Sequence, residues 1–453
     1  MNLHRLLRQR HEQGSPVRIG MIGAGKFGAM FLAQVRSTPG IHLVGVVDLS
    51  PQRAIDTMKR VGWPPEQISA RDLDDACRHG GTHVGADIDA LMRHPQIEIV
   101  IEVTGDPAAA VGHILAAFAN KKHVVNVTVE ADALCGPFLA KRAAEEGVIY
   151  SLAYGDQPAL ICDLVDWARA AGFEVVSAGR GHKWLPQYAA STPETVWQHY
   201  GLSEEQAKAG GMNPQMFNSF LDGSKPAIEC TAVCNATGLL PPPDGLEYPP
   251  AALTEIPYVC RPRSEGGHLH FKGQVEVLSS LERDGRPIAD HLRWGVFVAF
   301  EAGSDYVRRC FSEYGLITDP SGRYGAMYKR WHLIGLELGI SVASVGLRKE
   351  PTGRPDDFRA DTVAVAKRNL KPGEVLDGEG GFTVVGKLAP AATSLAAGAL
   401  PLGLANKVTL VNPVKAGSVV RWADVKADET HQAVRARRQM EAIFDPPAAR
   451  AAS

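Results

Sequence analysis

The stretch VRIGMIGAGKFGAMFLAQV, residues 17–35, constrains this chain more than any other. Val17, Ile19, Met21 and Ile22 make an apolar run of strand length, and MFLAQV continues as an apolar helix face. Between them Gly23, Gly25 and Gly28 keep the spacing G-x-G-x-x-G. Gly23 allows the tight turn from strand to helix, Gly25 lets the backbone approach a bound group, and Gly28 lets the helix lie on the strand. The first amides of such a helix lack internal acceptors and sit at its positive end. The loop Gly23, Ala24, Gly25, Lys26, Phe27, Gly28 is therefore suited to grip a diphosphate.

A second apolar run, IHLVGVVDL, ends in Asp48, about 20 residues after Gly28, where a carboxylate can accept from both hydroxyls of a ribose. A dinucleotide is the expected ligand, with NAD favoured. Arg53, a short turn onward, is the feature that would admit NADP by pairing a 2′-phosphate. Further on, IEIVIEVTG ends in Thr104 and Gly105, and HVV leads to Asn126 and Glu130. Ligands of open parallel sheets lie beyond such strand ends, so these residues are expected on the nicotinamide side. For Asn126 or Thr128, plain helix capping is the alternative.

Strands alternating with helices over residues 17–155 predict an α/β domain with a parallel sheet of the Rossmann kind. At 453 residues the chain has room for further domains. The middle mixes helices (LICDLVDWARAAG, ETVWQHYG) with β-rich runs (FEVVSAG, VEVLSSL, GVFVAFEA), which reads as α+β. A late helix, YKRWHLIGLELGISVASVG, is expected to pack back onto the first domain. Past it come short strands and glycine turns, in which AVAKRNLKPGEVLDG and LVNPVKAGSVVRWAD each place Lys two residues before Gly and Val two residues after. The expected division is 1–155, 156–355 and 356–453, the last including a C-terminal tail.

The 48 basic and 50 acidic residues leave a net charge of −2, so no nucleic-acid or membrane partner is expected. Seven cysteines without a C-x-x-C pair fit a reducing, cytoplasmic setting. The start MNLHRLLRQRHEQG lacks the apolar core of a secretory signal. Its Leu3, Leu6 and Leu7 suit one stripe of a short docking helix.

The paired Lys-x-Gly segments resemble the SAF domain, a small β-clip module, over residues 359–428. Together with KKHVVNVTVEAD, EEGVIYSLAYGDQP, GDQPALICDLVDWARAAGFEVVSAGRG and FLDGSKPAIECTAVCNATGLLP, they make the chain similar to homoserine dehydrogenase-like oxidoreductases with a C-terminal SAF domain. That group includes reductoisomerase-like enzymes acting on 1-deoxy-D-xylulose 5-phosphate. The resemblance implies a homodimer that passes a hydride between nicotinamide and a small polar substrate. Where homoserine dehydrogenases carry a lysine after the HVV strand, this chain has Glu130, and their helical Asp and Lys pair is not found.

Reducing a carbonyl builds negative charge on oxygen, so a cation, an acid or a metal must stand beside it. Lys183 in SAGRGHKW is one candidate, its proton affinity lowered if Arg180 and His182 are near; a solvated basic loop is the other reading. Asp156 in YGDQP either caps the helix beginning near Pro158 or faces the substrate. In LDGSKPAIECTAVCNATG, Lys225 could bind a phosphate or carboxylate and Glu229 could act as an acid, while Asp222 and Gly223 suit a β-turn. Cys230 and Cys234 are expected as buried packing. His268 and His270 are expected on one side of a strand, where a pair can hold zinc, but no third ligand stands at a recognisable spacing. No metal site is therefore assigned, although a reductoisomerase would need a divalent ion and NADPH, with Asp156, Glu229 and Glu265 as the available carboxylates. A non-catalytic nucleotide-sensing or carbohydrate-binding protein is the third alternative.

Overall fold

The computed structural model describes residues 2–444, so residue 1 and the expected tail from 445 on lie outside the described residues. The chain divides into two compact units, Met1–Leu160 with His332–Asp356, and Ile161–Trp331 with Asp357–Ser453.

In the first unit, β1 (Val17–Ile22), β2 (Ile41–Val47), β3 (His83–Gly85), β4 (Ile99–Glu102), β5 (His123–Asn126) and β6 (Tyr150–Leu152) form one parallel sheet. Its order is β3-β2-β1-β4-β5-β6. Val17, Ile19, Met21, Ile99 and Ile101 are all wholly buried, as strands covered on both faces require. The sequence runs foretold all of these strands except β3, which is three residues long and only half-buried. Strand order reverses between β1 and β4, so the loops leaving them flank the crevice where such sheets bind ligands. The helix Leu3–Glu12 buries Leu7 and half-buries Leu3 and Leu6, the expected stripe.

In the second unit, β7 (Glu174–His182), β8 (Gln274–Ser279), β9 (Val296–Glu301) and β10 (Tyr324–Lys329) make a mixed sheet in the order β10-β9-β7-β8. Only β7 and β8 run parallel. The helix Ser224–Thr237 packs on β7 and β8, and Ala227, Ile228, Cys230, Val233 and Cys234 are buried around it. A helix apolar on every side belongs in a core.

The same helix also packs on β11 (Ala360–Ala366) and β13 (Val384–Pro390), an antiparallel pair. Beside them β12 (Val375–Asp377), β14 (Asn406–Leu410) and β15 (Val425–Lys426) form a three-stranded sheet. Both Lys-x-Gly turns take the positive φ that favours glycine, +86° at Gly373 and +77° at Gly417. The first leads into β12; the second yields only a bridge between Val365 and Val419. The helix Gln432–Phe444 places Arg437 fully buried against Asp361, with guanidinium bonds of 3.0 and 2.6 Å.

The late helix is shorter than its sequence promised. Tyr328 and Lys329 belong to β10, and helix begins only at Gly339, running to Ala343 and on through Ser344–Arg348. Gly335 stops it earlier: its φ is +78°, and a Cβ there would meet Met30 Cβ at 2.7 Å. Leu338, Val342 and Val345 nonetheless join the core around Val17, Phe31, Leu32 and Ile99, so this segment does pack onto the first unit's sheet.

Candidate functional site

The glycine loop adopts the geometry its spacing demands. Gly23 has φ +99° and a Cβ there would meet the Val103 carbonyl oxygen at 2.8 Å. A Cβ on Gly28 would lie 3.0 Å from the Gly23 carbonyl oxygen, while one on Gly25 would meet nothing within 4 Å. Tight turn, close packing and open approach thus fall on the three glycines in turn. Gly25 stands at the N-cap of the helix Lys26–Val35 and brings no side chain to cap it. Lys26 is exposed in that first turn, and Phe27 is half-buried against the sheet's core.

Asp48 ends the next strand as expected, but its carboxylate works on the loop itself. Oδ2 accepts from the Ala24 amide at 2.9 Å, and Oδ1 accepts from the Ser50 amide at 2.9 Å and from Arg53 at 2.7 Å. Its side chain is 3% exposed against 63% for that of Arg53. The carboxylate pins the glycine loop and holds Arg53 at the surface.

At the ends of β4 and β5 lies a network that the sequence did not single out. Glu102, fully buried, accepts from Thr104 Oγ1 at 2.6 Å, from Thr128 Oγ1, and faces His113 Nδ1 at 3.3 Å. The Gly105 amide donates to Thr128 Oγ1 at 3.0 Å. Thr104 and Gly105 are thus held to the β5 loop through Glu102. Asn126 is occupied locally: its Nδ2 donates to the Thr128 carbonyl and to Tyr150 Oη, and its Oδ1 accepts from the Thr128 amide. Glu130 is half-buried in the first turn of the helix Val129–Glu145. In the same turn, Asp132 is fully buried beside Tyr150 Oη at 2.9 Å, and burial pushes its carboxyl up to about 7. Asp156, buried at the end of this unit's first segment, accepts from the Gln157 amide at 2.9 Å, where the helix Gln157–Ala170 begins.

In the second unit Lys183 follows β7, half-buried, with Nζ donating to the His199 carbonyl at 2.6 Å. Its amine is held below the ordinary lysine range, first by burial and then by the charge of Arg293. Arg180 and His182, the neighbours expected to do this, are engaged elsewhere. Arg180 makes a buried ion pair with Glu229, and burial drives His182 well below its usual range, leaving it neutral. Glu229 is therefore the counter-ion of Arg180 instead of an unpaired acid. Lys225 is half-buried in the first turn of the helix Ser224–Thr237.

Asp222 is more than a turn residue. It is buried, accepts from the Ser224 amide at 2.8 Å, and meets Lys367 Nζ at 2.8 Å across 145 positions of sequence. Lys367 completes its shell on the carbonyls of Ser191 and Gly381, at 2.7 and 2.8 Å. Cys230 and Cys234 are buried packing as expected, the Cys230 thiol pushed up to about 12 by burial. His268 and His270 do not share a strand: they lie in the irregular stretch between the turn Arg263–Glu265 and β8. His270 Nε2 bonds to Glu247 at 2.7 Å. Glu265 accepts from Tyr324 Oη at 2.6 Å, and among the described residues no group of three His, Cys, Asp or Glu is placed to hold a metal.

Three segments of the chain match known families. Residues 17–126 match the oxidoreductase family with an NAD-binding Rossmann fold, 155–338 the catalytic domain of oxidoreductase DRL, and 361–426 the SAF domain. The homoserine dehydrogenase of Pseudomonas aeruginosa is 30% identical over 136 residues, 30% of this chain and 28% of that protein. That of Synechocystis is 28% identical over 141 residues, 29% of this chain and 28% of that protein. The chain thus spans under a third of the length of these curated relatives. An NAD-binding oxidoreductase from Klebsiella pneumoniae is 20% identical, with a TM-score of 0.28 over 38% of this chain and 44% of that structure. The chain thus carries segments similar to the NAD-binding Rossmann domain of an oxidoreductase family, to the catalytic domain of oxidoreductase DRL and to a SAF domain, and over 30% of its length it is similar to a homoserine dehydrogenase.

Proposed function

We propose that the protein is an NAD(P)-dependent oxidoreductase passing a hydride between nicotinamide and a small hydroxy or oxo metabolite. The observation that carries this reading is the open approach over Gly25, at the N-terminus of the helix Lys26–Val35. The first amides of that helix would take the diphosphate. The bound nicotinamide would supply or accept the hydride. Thr104 and Gly105, tied to Thr128 and Glu102, would line its side of the crevice.

NAD is the favoured cofactor, because the buried Asp48 carboxylate opposes a second negative group at the ribose. Arg53, now paired to that carboxylate, is the residue whose release would admit a 2′-phosphate. Lys183 is our candidate for steadying charge on the substrate oxygen, since an amine held below its usual range can both donate and recover a proton. Asp156, Lys225 and Glu229 complete the proposed set, Glu229 acting through Arg180. We divide the chain at 1–155, 156–355 and 356–453, and read it as a homodimer without a nucleic-acid partner. Among the described residues none of its seven cysteines is in a disulfide, which supports a cytoplasmic setting.

The test is a metabolite screen with both nicotinamides, followed by Lys183→Met. Turnover reduced by an order of magnitude or more, with dinucleotide binding intact, is expected; unchanged turnover would remove Lys183 from the chemistry.

A further inference from the structure

The second unit contains a cationic cluster of which the reading above uses Lys183 alone. Arg293 lies just before β9, half-buried. Among the described residues its guanidinium has no hydrogen-bond acceptor and no carboxylate, only the Trp294 ring with its centroid at 4.5 Å. Tyr188 stands in the turn Pro186–Ala190 and is 6% exposed, and its hydroxyl has no hydrogen-bond partner among the described residues. Tyr200 ends the helix Val196–Tyr200, and its hydroxyl too has no partner among the described residues.

These groups share one neighbourhood. A Cβ on Gly181, in the strand that leads to Lys183, would stand 2.8 Å from the Arg293 amide nitrogen, and Lys183 Nζ lies 5.6 Å from the Tyr200 ring centroid; the Arg293 charge acts on both phenols and on Lys183. The Tyr188 and His199 rings are 4.8 Å apart. Burial raises both phenols, Tyr200 to about 12, so each keeps its proton and can donate. His182, His199 and His291 are all pushed down by burial and add no charge at neutral pH. Asp222, the carboxylate that Tyr200 feels, is neutralised by Lys367, and Arg180 by Glu229.

What remains is positive charge and donors without acceptors. A half-buried guanidinium that lacks an acceptor loses part of its hydration with nothing in exchange. An oxyanion would supply acceptors to the guanidinium fork and to both hydroxyls at once. We propose that Arg293, Tyr188, Tyr200 and Lys183 form a subsite for an oxyanionic group of the substrate, a carboxylate or a phosphoryl group. The oxidoreductase reading enters only in calling that group part of the substrate.

The test titrates the full chain by calorimetry with inorganic phosphate and, separately, with acetate, at ionic strength fixed with chloride. NAD is kept saturating so that the diphosphate loop is filled. Saturable binding of at least one anion is expected, weakened about tenfold or more by Arg293→Met and about threefold by Tyr188→Phe. Both variants should keep the NAD heat of the parent. Acetate alone binding identifies a carboxylate substrate, and phosphate alone a phosphoryl one. The subsite is overturned if neither anion binds, or if both variants bind the anion like the parent. Should NAD itself give no heat, the cofactor reading fails separately, and comparing parent with Arg293→Met in bare protein still decides the subsite.

Discussion

The glycine loop of the first unit and the charged cluster of the second are built on opposite plans. Around Gly23 and Gly28 the constraints are backbone contacts within a few residues or one strand away, and the single charge involved, Asp48, serves those contacts. Around Asp222 and Arg180 the shape depends on buried ion pairs whose members come from distant parts of the chain. A loop of the first kind tolerates change wherever no atom stands near. A cluster of the second kind tolerates almost none, because removing one ion strands the other.

The contrast is sharpest in stability. Arg437→Met leaves the Asp361 carboxylate buried without its cation, since both side chains are wholly buried. A loss of about 3–5 kcal/mol is expected, measured by urea unfolding. A loss under about 1 kcal/mol would show that these pairs matter no more than surface ones.

Each unit also holds one carboxyl that burial pushes up to about 7, Asp132 in the first and Glu276 in the second. Their ordinary values are 3.8 and 4.5. Below those values both groups are protonated whether folded or unfolded, and their full contribution to stability is present. As pH rises toward 7 the unfolded chain ionises while the buried groups do not, so stability falls across that window, by up to a few kcal/mol for each group. Asp132→Asn and Glu276→Gln should each flatten part of that slope in unfolding curves taken at about pH 5 and about pH 7.5. An unchanged slope in both variants would contradict the assignment.

Asp48→Ala should weaken dinucleotide binding by about 1–3 kcal/mol, because the Ala24 amide loses its acceptor and the loop its anchor. Calorimetry that shows equal affinity would make the carboxylate irrelevant to the loop. The smallest effect belongs to Arg53→Ala. Its exposed ion pair should change stability by less than about 1 kcal/mol, while NADP affinity falls more than NAD affinity; an equal fall in both would remove Arg53 from cofactor choice.

Legibility followed the same line. The sheet strands, the glycine loop and Asp48 could be read because each is carried by a local period or a fixed spacing. The buried Cys230 and Cys234 were readable from residue type alone. Lys367 against Asp222 and Glu229 against Arg180 could not be, since nothing in LDGSK or GRGHK names a partner 145 or 49 positions away. The double role of Gly335 escaped as well: an apolar run looks helical until a packed neighbour, Met30, forbids a side chain and the backbone turns to positive φ. Glu102 could have been noticed, as a charged residue inside the otherwise apolar run IEIVIEV, where burial demands partners.

Gly25→Val tests the central claim most directly, because it puts a side chain into the space over the loop from a Cβ that would meet nothing within 4 Å. Calorimetry should find saturable dinucleotide binding to the parent protein and none to the variant, with the two unfolding at the same urea concentration. Binding that survives in the variant, or is missing from the parent with both nicotinamides, would contradict the account.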